Sequence, residues 1–242
     1  DGLCEPWTAK LDLLEAGATF RVTPEGFGLR AESLATRSEA ERATLVSSAR
    51  CGEHAATRRH EVDVLAFDQW PGVGRSPELT ASFVTPNHAG IGGLLSAVRA
   101  AMGSLNESDG LDGYQSGSRQ RAAKLGEAGY TATRGLGLGY VNPPASFDSA
   151  GQRVRLVDRV LREQVGTCLD LSLLLAGLWE QCGLHPVIVL PEGHAMPGFW
   201  THDAHLAESV IDEPSRIRNL MALGELVVVE STLAVGSGAG VG

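Results

Sequence analysis

Basic residues are in short supply in this chain: 20 Lys and Arg stand against 29 Asp and Glu, a formal charge of −9. A surface that holds nucleic acid is normally basic, so this balance argues against that partner and against an anionic membrane surface. Long apolar runs are missing too; none approaches the roughly 20 residues that a membrane-spanning helix needs. The opening Asp1-Gly2-Leu3-Cys4 lacks the pattern of a secretory leader. Cysteine is sparse and unpaired in spacing, at positions 4, 51, 168 and 182. The last two lie 14 residues apart on one expected helix, about 21 Å along its axis. A disulfide needs Cα atoms within about 7 Å, so these two cannot bridge. The set predicts reduced thiols and a cytoplasmic setting.

The organisation predicts an α+β chain in two parts. Residues 1–72 read as a small β-sandwich, with short strands over 18–22, 27–31, 43–50 and 62–67. The sandwich is incomplete if its first strands precede Asp1. Trp70-Pro71-Gly72-Val73-Gly74 closes it as a turn-rich linker. Residues 73–235 then switch to helical spacing, with helices expected over 91–105, 116–130 and 152–163. Residues 236–242 read as a flexible Gly-rich tail. That tail, with the missing initiator Met, suggests a piece of a longer polypeptide. Gly135-Leu136-Gly137-Leu138-Gly139 resembles a phosphate loop only superficially. It lacks the preceding strand and the following Lys-Ser/Thr, so it reads as connector and no cofactor is expected.

The chemistry concentrates in Gly166-Thr167-Cys168-Leu169-Asp170 and Gly193-His194-Ala195. A helix is predicted over 167–181, its apolar surface made by Leu169, Leu173, Leu174, Leu175 and Leu178. Cys168 then sits in the first turn, among unpaired N–H groups and the positive end of the helix dipole, which stabilise a thiolate. Gly183 stops the helix, 184–190 reads as a buried strand, and Glu192-Gly193 turns into His194 at the start of the next strand. A helix-start Cys with a strand-start His is what a thiolate–imidazolium nucleophile requires. A cysteine in a leucine-rich helix is equally a small core residue, so both readings stay open at this point.

These residues, with Phe199-Trp200 behind them, resemble the transglutaminase-like superfamily of papain-fold thiol enzymes. The resemblance implies a Cys-bearing helix packed on an antiparallel sheet. It also implies an acidic residue, ending a later apolar strand, that orients the His. Leu226-Val227-Val228-Val229-Glu230-Ser231-Thr232 fits that place with Glu where the family usually has Asp. The implied triad is Cys168, His194 and Glu230. Glu230 lies one methylene further out and after a long gap, and Asp203 and Asp212 are rivals not held by an apolar strand. Segments 61–66, 69–72, 83–87, 112–115, 143–147 and 151–155 are similar, in that order, to the front module of large bacterial proteins. Members of that group often carry helicase and nuclease-like segments, and some act in defence against phage. The implied activity is a protease-like amide hydrolase or acyltransferase on a protein or peptide substrate, within a multidomain antiphage protein or beside a defence-system partner. The alternative is an inactive fold serving as a binding or regulatory module.

Four further residues invite roles. Gln152, 16 residues before Cys168, could donate to an oxyanion beside the Cys168 N–H, or hold the helix cluster. Arg155 could grip a substrate carboxylate or belong to a salt-bridged face with Arg153. Trp200 reads as a cleft wall or a core residue. Asp170 reads as a stabiliser of the helix start. His202 and His205 have the spacing of a ligand pair, but they fall in a polar loop stretch with no Glu at hydrolytic-zinc spacing, so no metal is expected.

Overall fold

The computed structural model describes residues 2–23 and 26–235, which divide into a unit up to Asp68 and another from Gln69. The expected tail, 236–242, lies outside the described residues. The boundary falls earlier than the predicted 72, because Gln69–Trp70 (β3) pairs antiparallel with Gln152–Arg153 (β5) inside the second unit.

The first unit is not a sandwich among the described residues. A short helix, Ala31–Ala35 (α1), precedes one long hairpin, Glu41–Cys51 (β1) against His54–Val64 (β2). The two-residue loop Gly52-Glu53 closes it, with Gly52 at φ +59°, the left-handed value that the first position of such loops demands. Both faces of the ribbon are open to solvent almost throughout. That explains why His54 to His60 shows no strand periodicity: alternation records one-sided burial, and here neither side is buried. The strands expected over 18–22 and 27–31 do not form; Leu29 makes only an isolated bridge to Cys4.

The second unit is mixed α and β with small sheets. Short helix Ala89–Gly92 (α2) leads to Leu95–Ser104 (α3), and Arg119–Arg134 (α4) packs against it. Gly139–Tyr140 (β4) pairs parallel with Val165–Gly166 (β6). Phe147–Ala150 (α5) and Val157–Glu163 (α6) lie between them in sequence. Cys168–Gln181 (α7) is buried on every side from Cys168 to Trp179, as expected of a helix apolar all round. It packs on a three-stranded antiparallel sheet of Pro186–Val189 (β7), Met196–Trp200 (β8) and Leu226–Val228 (β9), with β8 central. Helix Pro214–Ala222 (α8) fills the long connection from β8 to β9.

Two close approaches fix this arrangement. Gly151, at φ +81°, lets the chain pass so near Trp70 that a Cβ would stand 2.2 Å from its carbonyl oxygen. Gly126 lets α4 reach Phe199 of β8, and the Trp179 indole donates to the Gly126 carbonyl at 3.0 Å. The core that results contains Leu125, Leu171, Leu174, Leu178, Trp179 and Phe199. A second cluster, with Trp70, Phe147, Leu169, Leu173 and Ala195, surrounds Cys168.

Candidate functional site

Cys168 is the first residue of α7, and Thr167 caps it. The Thr167 hydroxyl accepts from the Asp170 N–H and the Asp170 carboxylate accepts from the Thr167 N–H, a reciprocal capping box. Asp170 also takes the Arg155 N–H at 2.8 Å and its guanidinium at 3.3 Å. The carboxylate therefore anchors the helix start, as its position predicts.

The convergence rests on two buried serines. Ser172, one turn along α7, and Ser231, next to Glu230, each direct their hydroxyl at the carbonyls of Cys168 and Ala195, at 2.7–3.2 Å. These hydroxyls tie the helix start to the segment after His194 and the segment after Glu230. Three stretches far apart in sequence are thus held at one point by shared carbonyls.

His194 does not begin β8. It follows a turn at Glu192-Gly193, with its N–H donating to Pro191, and the strand starts two residues later. Its Nε2 lies 3.0 and 2.9 Å from the two oxygens of Glu230, which identifies the acidic partner. Asp203 instead lies 3.6 Å from His185, and Asp212 sits on an irregular segment before α8. Glu230 is itself fixed: one of its oxygens accepts from both the N–H and hydroxyl of Thr232, and its carbonyl accepts from Tyr130 of α4. Because Nε2 is committed to the carboxylate, Nδ1 is the ring nitrogen left to accept a proton.

Burial raises the Glu230 carboxyl, but the Thr232 and His194 bonds outweigh it and hold it below the ordinary value of 4.5. A lowered folded value stabilises the protein above pH 4.5 and loses that contribution as pH falls through it. Wild type is expected to lose melting temperature below pH 4.5 more steeply than Glu230→Gln. Equal slopes in thermal melts taken across that range would show that the dyad contributes nothing to stability.

The sulfur itself is covered. Cys168 is fully buried (0 % exposed). Burial pushes its thiol up, against the polar influence of the nearby Ala195 N–H, Tyr140 hydroxyl and Leu169 N–H, which favour the thiolate. Tyr140 is a neighbour of the sulfur, its hydroxyl among the groups that favour the thiolate. Burial, together with the neighbouring Cys168 and Glu230, pushes the phenol up to about 12, so it remains a neutral donor. The β4–β6 pairing sets Tyr140 opposite Gly166, two residues before the cysteine. Nothing in the Gly-Leu repeat before Tyr140 signals this, since a two-residue bridge leaves no periodicity.

Gln152 lies beside the helix start, its Nε2 donating to the Thr167 hydroxyl at 3.2 Å. Its Oε1 and the indole Nε1 of Trp70, its cross-strand neighbour, are buried without a hydrogen-bond partner. Arg155 departs from the substrate-gripping expectation: its guanidinium is occupied by Glu163 at 3.2 Å and Asp170 at 3.3 Å, which makes it a strut. Trp200 departs from the cleft-wall expectation. It is buried at the far end of β8, its N–H on His185 and its carbonyl taken by Tyr114. Six residues of nearly extended chain, about 20 Å, separate it from His194. Cys182 caps the opposite end of α7, where burial pushes its thiol up to about 12. Among the described residues no group of three or more His, Cys, Asp and Glu is placed to hold a metal, and no helix is long and apolar enough to cross a membrane.

Comparison of the chain with family models, with curated proteins and with solved structures finds no match.

Proposed function

We propose that this chain is a cysteine-dependent hydrolase or acyltransferase acting on amide bonds of a protein or peptide, with Cys168 as nucleophile. The observation that carries this reading is the tying, through the Ser172 and Ser231 hydroxyls, of the capped helix start that bears Cys168 to the segments that follow His194 and Glu230, which are themselves paired. Of the expectations from resemblance, the reading keeps the transglutaminase-like, papain-fold core and the place in a larger bacterial antiphage protein, working in the cytoplasm with its other domains or a defence partner.

In this mechanism the substrate carbonyl takes the place of the neighbouring Tyr140 hydroxyl, and the Cys168 N–H at the helix start receives the oxyanion. The thiol proton passes to His194 Nδ1 as the sulfur bonds the carbonyl carbon. Collapse of the tetrahedral adduct expels the amine, which leaves with that proton. Water, deprotonated by the same imidazole, then opens the thioester, releasing the acid and restoring the thiol. Glu230 holds the ring orientation and balances its transient charge. Gln152, at the helix cap, supports the Cys168 loop and is the candidate second oxyanion donor.

The covered sulfur and its raised value favour a second reading, a binding module that keeps the fold without turnover. Alkylation by iodoacetamide near neutral pH, mapped by mass spectrometry, separates the two. On the enzyme reading Cys168 is modified ahead of buried Cys182, and Tyr140→Ala, which removes the neighbouring ring, speeds that modification by about tenfold. A Cys168 that stays unmodified in both chains leaves only the binding module.

A further inference from the structure

The wall beside His194 carries a hollow of ≈ 290 Å³, lined by Val73, Asp148, Ser149, Leu190, Pro191 and Glu192. That volume lies at the lower edge of small-molecule sites, about 300–1,000 Å³, and suits a single side chain. The hollow opens on the stretch that leads into the reactive centre: Glu192 is two residues before His194, and the Asp148 carboxylate accepts the Gly193 N–H at 3.0 Å. Leu190 packs against the apolar cluster that contains Cys168, and Phe147 of that cluster precedes Asp148. The lining of the hollow thus adjoins the cluster that holds the thiol.

Its chemistry is divided. Val73, Leu190 and Pro191 offer an apolar lining, while both charged residues, Asp148 and Glu192, are acidic. The wall is also built rather than loose. The Val73 N–H donates to the Asp148 carbonyl at 2.6 Å, and a Cβ on Gly72 would stand 2.7 Å from the Ser149 carbonyl oxygen. Asp148 cannot swing away, because Gly193 and Ser149 both donate to its carboxylate. An apolar stem ending in a positive group satisfies both halves of such a pocket, with the methylenes along the lining and the charge between the carboxylates. A carboxylate-bearing side chain would meet only repulsion there.

We propose that this hollow is a specificity subsite for a Lys or Arg side chain of the peptide substrate, adjoining the bond attacked by Cys168. The proposal rests on the thiol-enzyme reading above and names its substrate class. It also gives the acidic charge of this face a use, since cationic peptides are drawn toward it.

The test uses the full chain and peptidyl acyloxymethyl ketones, which alkylate an active thiol, carrying Lys, Arg, norleucine or Glu beside the reactive carbonyl. Each rate of Cys168 modification, followed by intact mass and mapped to the residue, is divided by that with iodoacetamide, which has no side chain to seat. Lys and Arg probes are expected to react about fivefold or more faster than norleucine, which has the stem without the charge, and Glu slowest. Glu192→Lys is expected to erase the preference or turn it toward the Glu probe. Labelling of Cys168 by iodoacetamide, with no ranking by charge among the peptidyl probes, overturns the subsite and leaves the thiol enzyme standing. No modification of Cys168 by any reagent overturns both.

Discussion

Replacing His194 by Ala is expected to slow Cys168-dependent hydrolysis of an activated ester such as p-nitrophenyl acetate by about 10²–10⁴-fold, the usual worth of a positioned general base. The residual rate should approach that of Cys168→Ala, because in the proposed mechanism His194 is the group that takes the thiol proton. An ester with a good leaving group suits the test because it needs no recognised side chain and reports acylation directly. The fold should survive. His194 is only part-buried (side chain 27 % exposed), and Glu230 keeps its bonds from Thr232 and Tyr130 when the ring is gone. Circular dichroism melts of the variant should therefore overlay those of wild type within a few degrees. Burial raises the thiol in the resting structure, so a base that removes its proton at the moment of attack matters more here than a standing thiolate. A His194→Ala chain that hydrolyses the ester at the wild-type rate while Cys168→Ala does not would assign the chemistry to another base. Equal rates in all three chains would assign it to none of these residues.

What the sequence made legible was local and periodic. The helix from about Thr167 was readable because its apolar run and its Gly stop are both local signals. The strands around 186–189 and 226–228 were readable for the same reason: apolar runs bounded by turn residues. His194 could be named because it follows such a run and a turn, and Glu230 because the family resemblance implies an acidic residue at the end of one. The first strand of the hairpin was read over 43–50, but most of its partner was missed, since a ribbon open on both faces has no reason to alternate and Ala, Thr, Arg and His serve equally well there. Tyr140, Ser172 and Ser231 were missed because their roles depend on long-range closure. One serine interrupts the leucine run of α7 at Leu171-Ser172-Leu173, which was the single available signal. A polar residue fully buried in a helix must bond something, and here it bonds the helix's own Cys168 carbonyl and a strand 23 positions away. Trp200 was misplaced by reading along the chain: adjacency in sequence to a site residue means little once a strand carries the chain away at about 3.3 Å per residue.

The same long-range closure can be probed without touching the chemistry. Gly126→Ala adds one methyl to α4, and Ala is the better helix former, so propensity alone predicts a gain of about 1 kcal/mol. Packing predicts the reverse. The new Cβ would stand 2.0 Å from the Phe199 ring, and the ring has nowhere to go: it is buried and lies edge-on against Trp179, with centroids 4.7 Å apart. Trp179 in turn donates to the Gly126 carbonyl, so a shift of α4 breaks that bond as well. Overpacking of a closed core commonly costs 1–3 kcal/mol and occasionally more. With the broken bond added, a net loss of about 3 kcal/mol is expected, read as a fall in denaturant midpoint at unchanged slope. The effect should reach the site, because Phe199 belongs to β8, whose leading end holds Ala195 against Cys168 and Ser231. Ester hydrolysis by the folded fraction should therefore fall with stability, whereas a substitution on the exposed hairpin, such as Thr57→Ala, should leave it alone. A Gly126→Ala chain as stable and as active as wild type would mean that α4 does not seat on β8 and that the reactive segment is held in place by something else.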